Sequence, residues 1–167
     1  MEASEIINAV LAQHKMIVSQ IDKASDTVGD LAAVLRLERA RGDMTTAFQQ
    51  TLDQKLRRLE EVLAPVDRGL RNHYQFEEDV LPPLLGRVLA LALFSEHKQL
   101  LRLMDQATSL IAIAKGADLT RDEQMSKESA IYDCLDELRG AKLDHLTREE
   151  AILVTLQEVA GSRTSAA

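Results

Sequence analysis

All four histidines of this 167-residue chain fall on the apolar stripe of a helix-periodic segment. In the first segment Ile6, Ile7, Val10, Leu11, His14, Ile17, Val18 and Ile21 recur at steps of three and four, which marks one face of an α-helix. In the second, Leu52, Leu56, Leu59, Leu63, Val66, Leu70, His73, Glu77 and Val80 alternate steps of four and three, the spacing of a bundle seam. The third carries Ala90, Leu93, Phe94, His97, Leu100, Leu101, Met104, Ala107, Leu110 and Ile111. The fourth reads Ile131, Cys134, Leu135, Leu138, Ala141, His145, Glu149, Ile152 and Leu156. Each stripe can leave water only by packing against the others. The expected fold is therefore all-α, an up-down-up-down antiparallel four-helix bundle over residues 1–160, with a flexible tail at 161–167.

The breaks are legible too. Arg41-Gly42-Asp43, Leu81-Pro82-Pro83 to Gly86, and Lys115-Gly116-Ala117-Asp118 carry the residues that end helices. Around Ser25 to Asp30 the first helix is either continuous to Arg41 or interrupted, since Asp26, Thr27 and Gly29 could end one segment and cap another. Pro65 lies inside the second segment, but the seam keeps its register across it, so it reads as a kink and not an end.

Composition closes off other classes. With 7 Gly, 3 Pro and 46% hydrophobic residues the chain has a helical, globular character. The longest apolar run, Val88 to Phe94, is far short of the ~20 residues that cross a bilayer. The N-terminus Met1-Glu2-Ala3-Ser4-Glu5 has no basic start or apolar stretch, which points to the cytoplasm. A net charge of −7 and few aromatic residues disfavour nucleic acid as a partner. A single cysteine, Cys134, can form no internal disulfide and reads as a small buried hydrophobe.

Helix lengths bring the histidines together. His14 and His73 lie ~42 and ~46 Å of helix from Gly42, so in an antiparallel hairpin their levels coincide. His97, early in its helix, and His145, late in the next, match more loosely across Gly116. All four imidazoles are expected in one layer, toward the Pro82-Pro83 end.

The chain also repeats itself. His73-Tyr-Gln-Phe-Glu77-Glu78-Asp-Val80-Leu81 and His145-Leu-Thr-Arg-Glu149-Glu150-Ala-Ile152-Leu153 share H-x-x-x-E-E-x-[VI]-L, while His14-Lys15 and His97-Lys98 open matching apolar patterns. Two hairpins of one type then build a pseudo-twofold site. Residues i and i+4 share a helix face, so His73/Glu77 and His145/Glu149 each offer a nitrogen and an oxygen to the interior. A lone histidine on an apolar stripe is usually a hydrogen-bonded core residue. Four in one layer with two seam carboxylates, and no Lys or Arg on the seams at that level, call for a cation. Six ligands, His14, His73, Glu77, His97, His145 and Glu149, suit two ions with two histidines each and both glutamates bridging. Manganese, zinc or iron would accept this set. Glu78 and Glu150 read as solvent-facing, Tyr74 and Tyr132 as packing at the bundle edge, Met104 as core filling, and Lys15 and Lys98 as solvated.

On the segments His73 to Leu85, Ser95-Glu96-His97-Lys-Gln-Leu-Leu101, Leu11-Ala-Gln-His14 and His145 to Glu149, the chain resembles the hemerythrin-like (HHE) cation-binding domains. That resemblance implies a non-haem di-iron centre of two iron ions with bridging carboxylates and an oxo or hydroxo bridge, able to bind dioxygen, nitric oxide or peroxide. The oxygen-carrying members have a fifth histidine from an H-x-x-x-H pair on the third helix, where this chain has Leu93 and Leu101. They also place an Asp five residues after the last histidine; here Glu149 stands at four and Glu150 at five. The set is closer to that of the iron- and oxygen-responsive members.

The expected function is a di-iron module that binds or senses a small diatomic or peroxide ligand, or iron itself, without an organic substrate. The alternatives are a peroxidase, oxidase or nitric oxide reductase at the same centre, and a metal-free helical interaction module.

Overall fold

A computed structural model of the chain describes residues 2–41, 46–116 and 119–164. Among them are five helices and no strand: α1 (Ala3–Arg41), α2 (Thr46–Val80), α3 (Pro82–Leu85), α4 (Arg87–Gly116) and α5 (Arg121–Thr164). The first helix is continuous through the Ser25 to Asp30 stretch, and α2 runs unbroken past Pro65.

The short helix α3 corrects the expectation of a plain break after Leu81. Proline has no backbone N–H to lose in a first helical turn, so Pro82 and Pro83 start one turn there. Gly86, at φ 74°, ends it by donating its N–H to the Pro82 carbonyl at 3.0 Å. The start of α5 is fixed by a capping box. The Thr120 N–H donates to the Glu123 carboxylate at 2.9 Å, and the Glu123 N–H donates back to the Thr120 hydroxyl at 3.4 Å. Helix α5 continues past Gly161 to Thr164; the rest of the expected tail, 165–167, lies outside the described residues.

Helix α1 packs on α2 and α5, and α4 packs on α2 and α5. Side-chain pairings give the register. Asp30 of α1 meets Lys55 of α2 at 3.4 Å, while His14 meets Glu77. Between α2 and α4, Arg71 pairs with Asp105 and Glu60 with Lys115. Cys134 donates its S–H to the Leu103 carbonyl across α5 and α4 at 3.5 Å, and Gln157 donates to Asn8 across α5 and α1 at 3.4 Å.

The buried stripes form two apolar clusters. The larger holds Leu52, Leu56, Leu59, Leu63, Leu70, Leu100, Met104, Ile111 and Ile131; the smaller holds Ile7, Val10, Leu81 and Leu153. On α1 and α5 the histidine falls between residues of the larger cluster and residues of the smaller one. The histidine layer is thus a polar slab between two apolar plugs, which keep water away from it.

Candidate metal centre

Each long helix brings one histidine to the slab, and α2 and α5 bring a glutamate one turn further on. His14, His73, His97, His145, Glu77 and Glu149 are all 3% exposed or less. Their ligand atoms form two overlapping groups: His14, His73, Glu77 and Glu149, and Glu77, His97, His145 and Glu149, each with its atoms within 4.8 Å of one another. Both glutamates belong to both groups. The ring centroids stand 5.0 Å apart for His14 and His73 and 4.9 Å apart for His97 and His145, so the two halves repeat one arrangement.

Every imidazole turns Nε2 inward and Nδ1 outward. His73 Nε2 lies 2.7 Å from Glu77 Oε1, His97 Nε2 lies 3.2 Å from Glu77 Oε2, and His145 Nε2 lies 3.3 Å from Glu149 Oε2. His14 Nε2 reaches both glutamates, at 3.2 and 3.3 Å. The outward Nδ1–H groups all have acceptors. His14 donates to Glu150 at 3.2 Å, His73 to Gln13 at 2.9 Å, His97 to Glu78 at 3.4 Å and His145 to Glu96 at 2.8 Å. Carboxylate and amide oxygens only accept, so Nδ1 donates outward and Nε2 is the nitrogen turned to the interior, open to a metal once any proton held there by the inner carboxylates is displaced.

The inward atoms are poorly satisfied. Nε2 of His73, His97 and His145, Oε2 of Glu77 and both carboxylate oxygens of Glu149 are buried without a hydrogen-bond partner. They are close to one another yet misaligned for hydrogen bonding, the signature of donors aimed at common points between them. Leaving so many buried polar atoms unpaired is costly, and a cation at each point would satisfy them. Nitrogen and oxygen donors of this kind fit a transition-metal pair, with outer hydrogen bonds fixing each ring.

Electrostatics agrees. Burial alone would raise the Glu77 and Glu149 pKa values, but the imidazoles of His14, His73 and His97 at Glu77, and of His14 and His145 at Glu149, hold both below the ordinary range. Both therefore stay anionic. Burial pulls His14 down, yet the Glu149 and Glu77 carboxylates outweigh it and raise its pKa to about 9. For His73, burial prevails over Glu77 and lowers it.

Two buried residues escaped the reading of the sequence. Lys142 is 0% exposed, so the expectation that no lysine sits at this level is corrected. It stands three residues before His145 and four after Leu138, so helical spacing alone could have placed it on the stripe. Burial pushes its pKa down to about 8, against the pull of Glu77 and Glu149. Its Nζ lies 4.6 Å over the Tyr74 ring, a cation–π contact. Tyr74 is likewise inside the bundle and not at its edge. It stacks on His97 at 4.0 Å and 10°, and its hydroxyl is buried without a partner. Tyr74 follows His73, and a helix large enough to bury two adjacent positions must pack on two neighbours at once; a single seam cannot reveal that. Glu78 and Glu150 are partly exposed, as expected, but each also holds the outer nitrogen of a histidine. Gln13 and Glu96, the residues just before the two lone histidines, do the same work and were signalled only by their repeated position. Tyr132, Lys15 and Lys98 are exposed, and Met104 and Cys134 are buried.

Compared with known protein families, the chain matches the model of the hemerythrin HHE cation binding domain over residues 5–157. Searches of curated proteins and of solved structures return no match.

Proposed function

The chain belongs to the hemerythrin HHE cation-binding family, and from that premise we propose that it is a non-haem di-iron protein that binds or senses a small ligand. In this reading His14 and His73 hold one ion, His97 and His145 the other, and Glu77 and Glu149 are shared by both. The observation that carries it is the pair of overlapping, fully buried ligand groups with two glutamates in common. The helix pairings support an up-down-up-down four-helix bundle as the scaffold, with α3 inside the α2–α4 connection.

When bound, two iron ions supply a redox couple and open coordination positions for dioxygen, nitric oxide or peroxide. The chain's own residues do the rest. Four Nδ1–H bonds orient the imidazoles, the two glutamates offset the cationic charge, and the two apolar clusters exclude water. Six protein donors would leave coordination positions on two such ions open to an exogenous ligand.

Metal analysis of freshly purified protein, with optical spectra taken with and without oxygen, tests the proposal. About two irons per chain and an oxygen-dependent near-ultraviolet band are expected; no metal after anaerobic iron loading would overturn it. A second reading, a peroxidase or nitric oxide reductase, draws on Tyr74, whose ring stacks on His97 and whose hydroxyl is buried without a partner, as a hydrogen-bond donor to a bound ligand. Repeated turnover of peroxide or nitric oxide would favour the enzyme, and a single stoichiometric reaction the binding module.

A further inference from the structure

Beside the histidine layer, on the side of the larger apolar cluster, lies a cavity of about 220 Å³. Its walls are apolar, built from Ile21, Leu63, Val66, Leu70, Met104 and Leu138, and its one buried charged group is Lys142. Tyr132, Asp136 and Arg139, all exposed, stand where it meets solvent. None of the six residues of the candidate metal centre lines it.

The Lys142 ammonium is stripped of water and has no hydrogen-bond acceptor in the protein. A buried ammonium whose near contact is a tyrosine ring, with the Glu77 and Glu149 carboxylates acting on it but not hydrogen-bonded to it, lacks a direct anionic partner and invites one. The surroundings decide which anion. A single buried cation matches a single negative head, and the carboxylates of Glu77 and Glu149, which already act on Lys142, disfavour a dianion. Leucine, isoleucine and valine walls offer nothing to a polar tail and favour an aliphatic one. An apolar cavity of about 150 Å³ takes up benzene, so this one has room for a chain of about six to eight carbons.

We propose that this cavity binds a monocarboxylate with a short aliphatic tail, its head on the Lys142 ammonium and its tail along the apolar walls. Cavity and ligand groups share no residue, so the inference stands on its own lining, with only the charge of Glu77 and Glu149 reaching Lys142 from the metal centre.

Isothermal titration of the full-length chain as purified, with sodium octanoate, octanol and sodium acetate as probes, tests it. Metal content measured on the same sample keeps the outcome separate from that of the metal centre. Octanoate is expected to bind one per chain, at least about tenfold tighter than octanol, which lacks the charge, and far tighter than acetate, which lacks the tail. Lys142→Met keeps the length of the side chain and removes the charge, so it should abolish the preference for octanoate over octanol. Ala24→Phe places a ring in the cavity and should remove binding of both. Absence of saturable octanoate binding, equal affinity for octanol, or full octanoate affinity in either variant would each overturn the proposal. If circular dichroism shows Lys142→Met unfolded, the octanoate-to-octanol ratio of the unaltered chain and the Ala24→Phe result decide.

Discussion

Glu96 accepts the Nδ1–H of His145 at 2.8 Å and is itself held by Arg148 at 3.0 Å, whereas the repeat-related His73 donates at 2.9 Å to the neutral amide oxygen of Gln13. The other two histidines both donate to carboxylates, Glu150 and Glu78. The pseudo-twofold site is therefore unequal: one half has two anionic supports and the other has one. A carboxylate makes the far nitrogen of an imidazole a better electron donor than an amide does.

The first prediction follows from that inequality. Glu96→Gln should weaken metal binding at the His97/His145 half by ~10–100-fold, the usual effect of losing an outer support, and leave the His14/His73 half close to unchanged. Titration against a competing chelator, resolving the two ions, checks it. Equal weakening of both halves would show that the two supports are interchangeable.

Sharing of the glutamates predicts different stoichiometries. Glu77→Ala should cost both metals, because Glu77 belongs to both ligand groups, while His73→Ala should spare the ion held by His97 and His145. Elemental analysis after identical iron loading distinguishes the two. Retention of one full equivalent by Glu77→Ala would argue against a bridging role.

Tyr74→Phe tests a buried hydroxyl with no partner. Its ring is locked by stacking on His97, and removing only the oxygen relieves an unsatisfied polar atom. Urea unfolding of the chain should show stability unchanged or increased by up to ~1 kcal/mol. A loss of ~2 kcal/mol or more would mean that the hydroxyl is bonded in solution.

Stability of the metal-free chain should fall between about pH 6.5 and pH 8. The fold raises the His14 pKa from 6.5 to about 9, so the stability it contributes is complete below its ordinary value and drains away as pH rises toward 9. Glu77 and Glu149 are depressed, so their contribution is present above their ordinary 4.5 and is lost only on acidification. His73 and Lys142 are lowered, and their penalties act in the opposite sense: that of His73 is already relieved by about pH 6.5, and that of Lys142 only begins to lift near pH 8. Melting temperatures after chelation, compared at pH 6.5 and 8, check the sign. Loading metal should raise the melting temperature and flatten or reverse this slope, because the ions take the place of the His14 proton.

Much of this was legible in the chain itself because helices are periodic and rigid. A rise of ~1.5 Å per residue converts position along the chain into height in a bundle, so His14, His73, His97 and His145 could be brought to one level by counting from the breaks. The i, i+4 spacing put Glu77 and Glu149 beside their histidines for the same reason. Even the outer partners were latent in the repeat, since Gln13 and Glu96 precede their histidines by one residue and Glu78 and Glu150 follow the seam glutamates by one.

What periodicity could not supply is how far each helix turns toward each neighbour. A seam assigns a residue to one face, but Tyr74, one position past His73, and Lys142, one past Ala141, are buried only because each helix packs on two others at once. The choice of partner for each Nδ1, the single helical turn at Pro82–Leu85 and the cavity ending on Lys142 likewise depend on contacts between residues far apart in the chain. Local pattern determined which residues reach the interior layer; rotation and fit of the packed helices decided what each of them meets there.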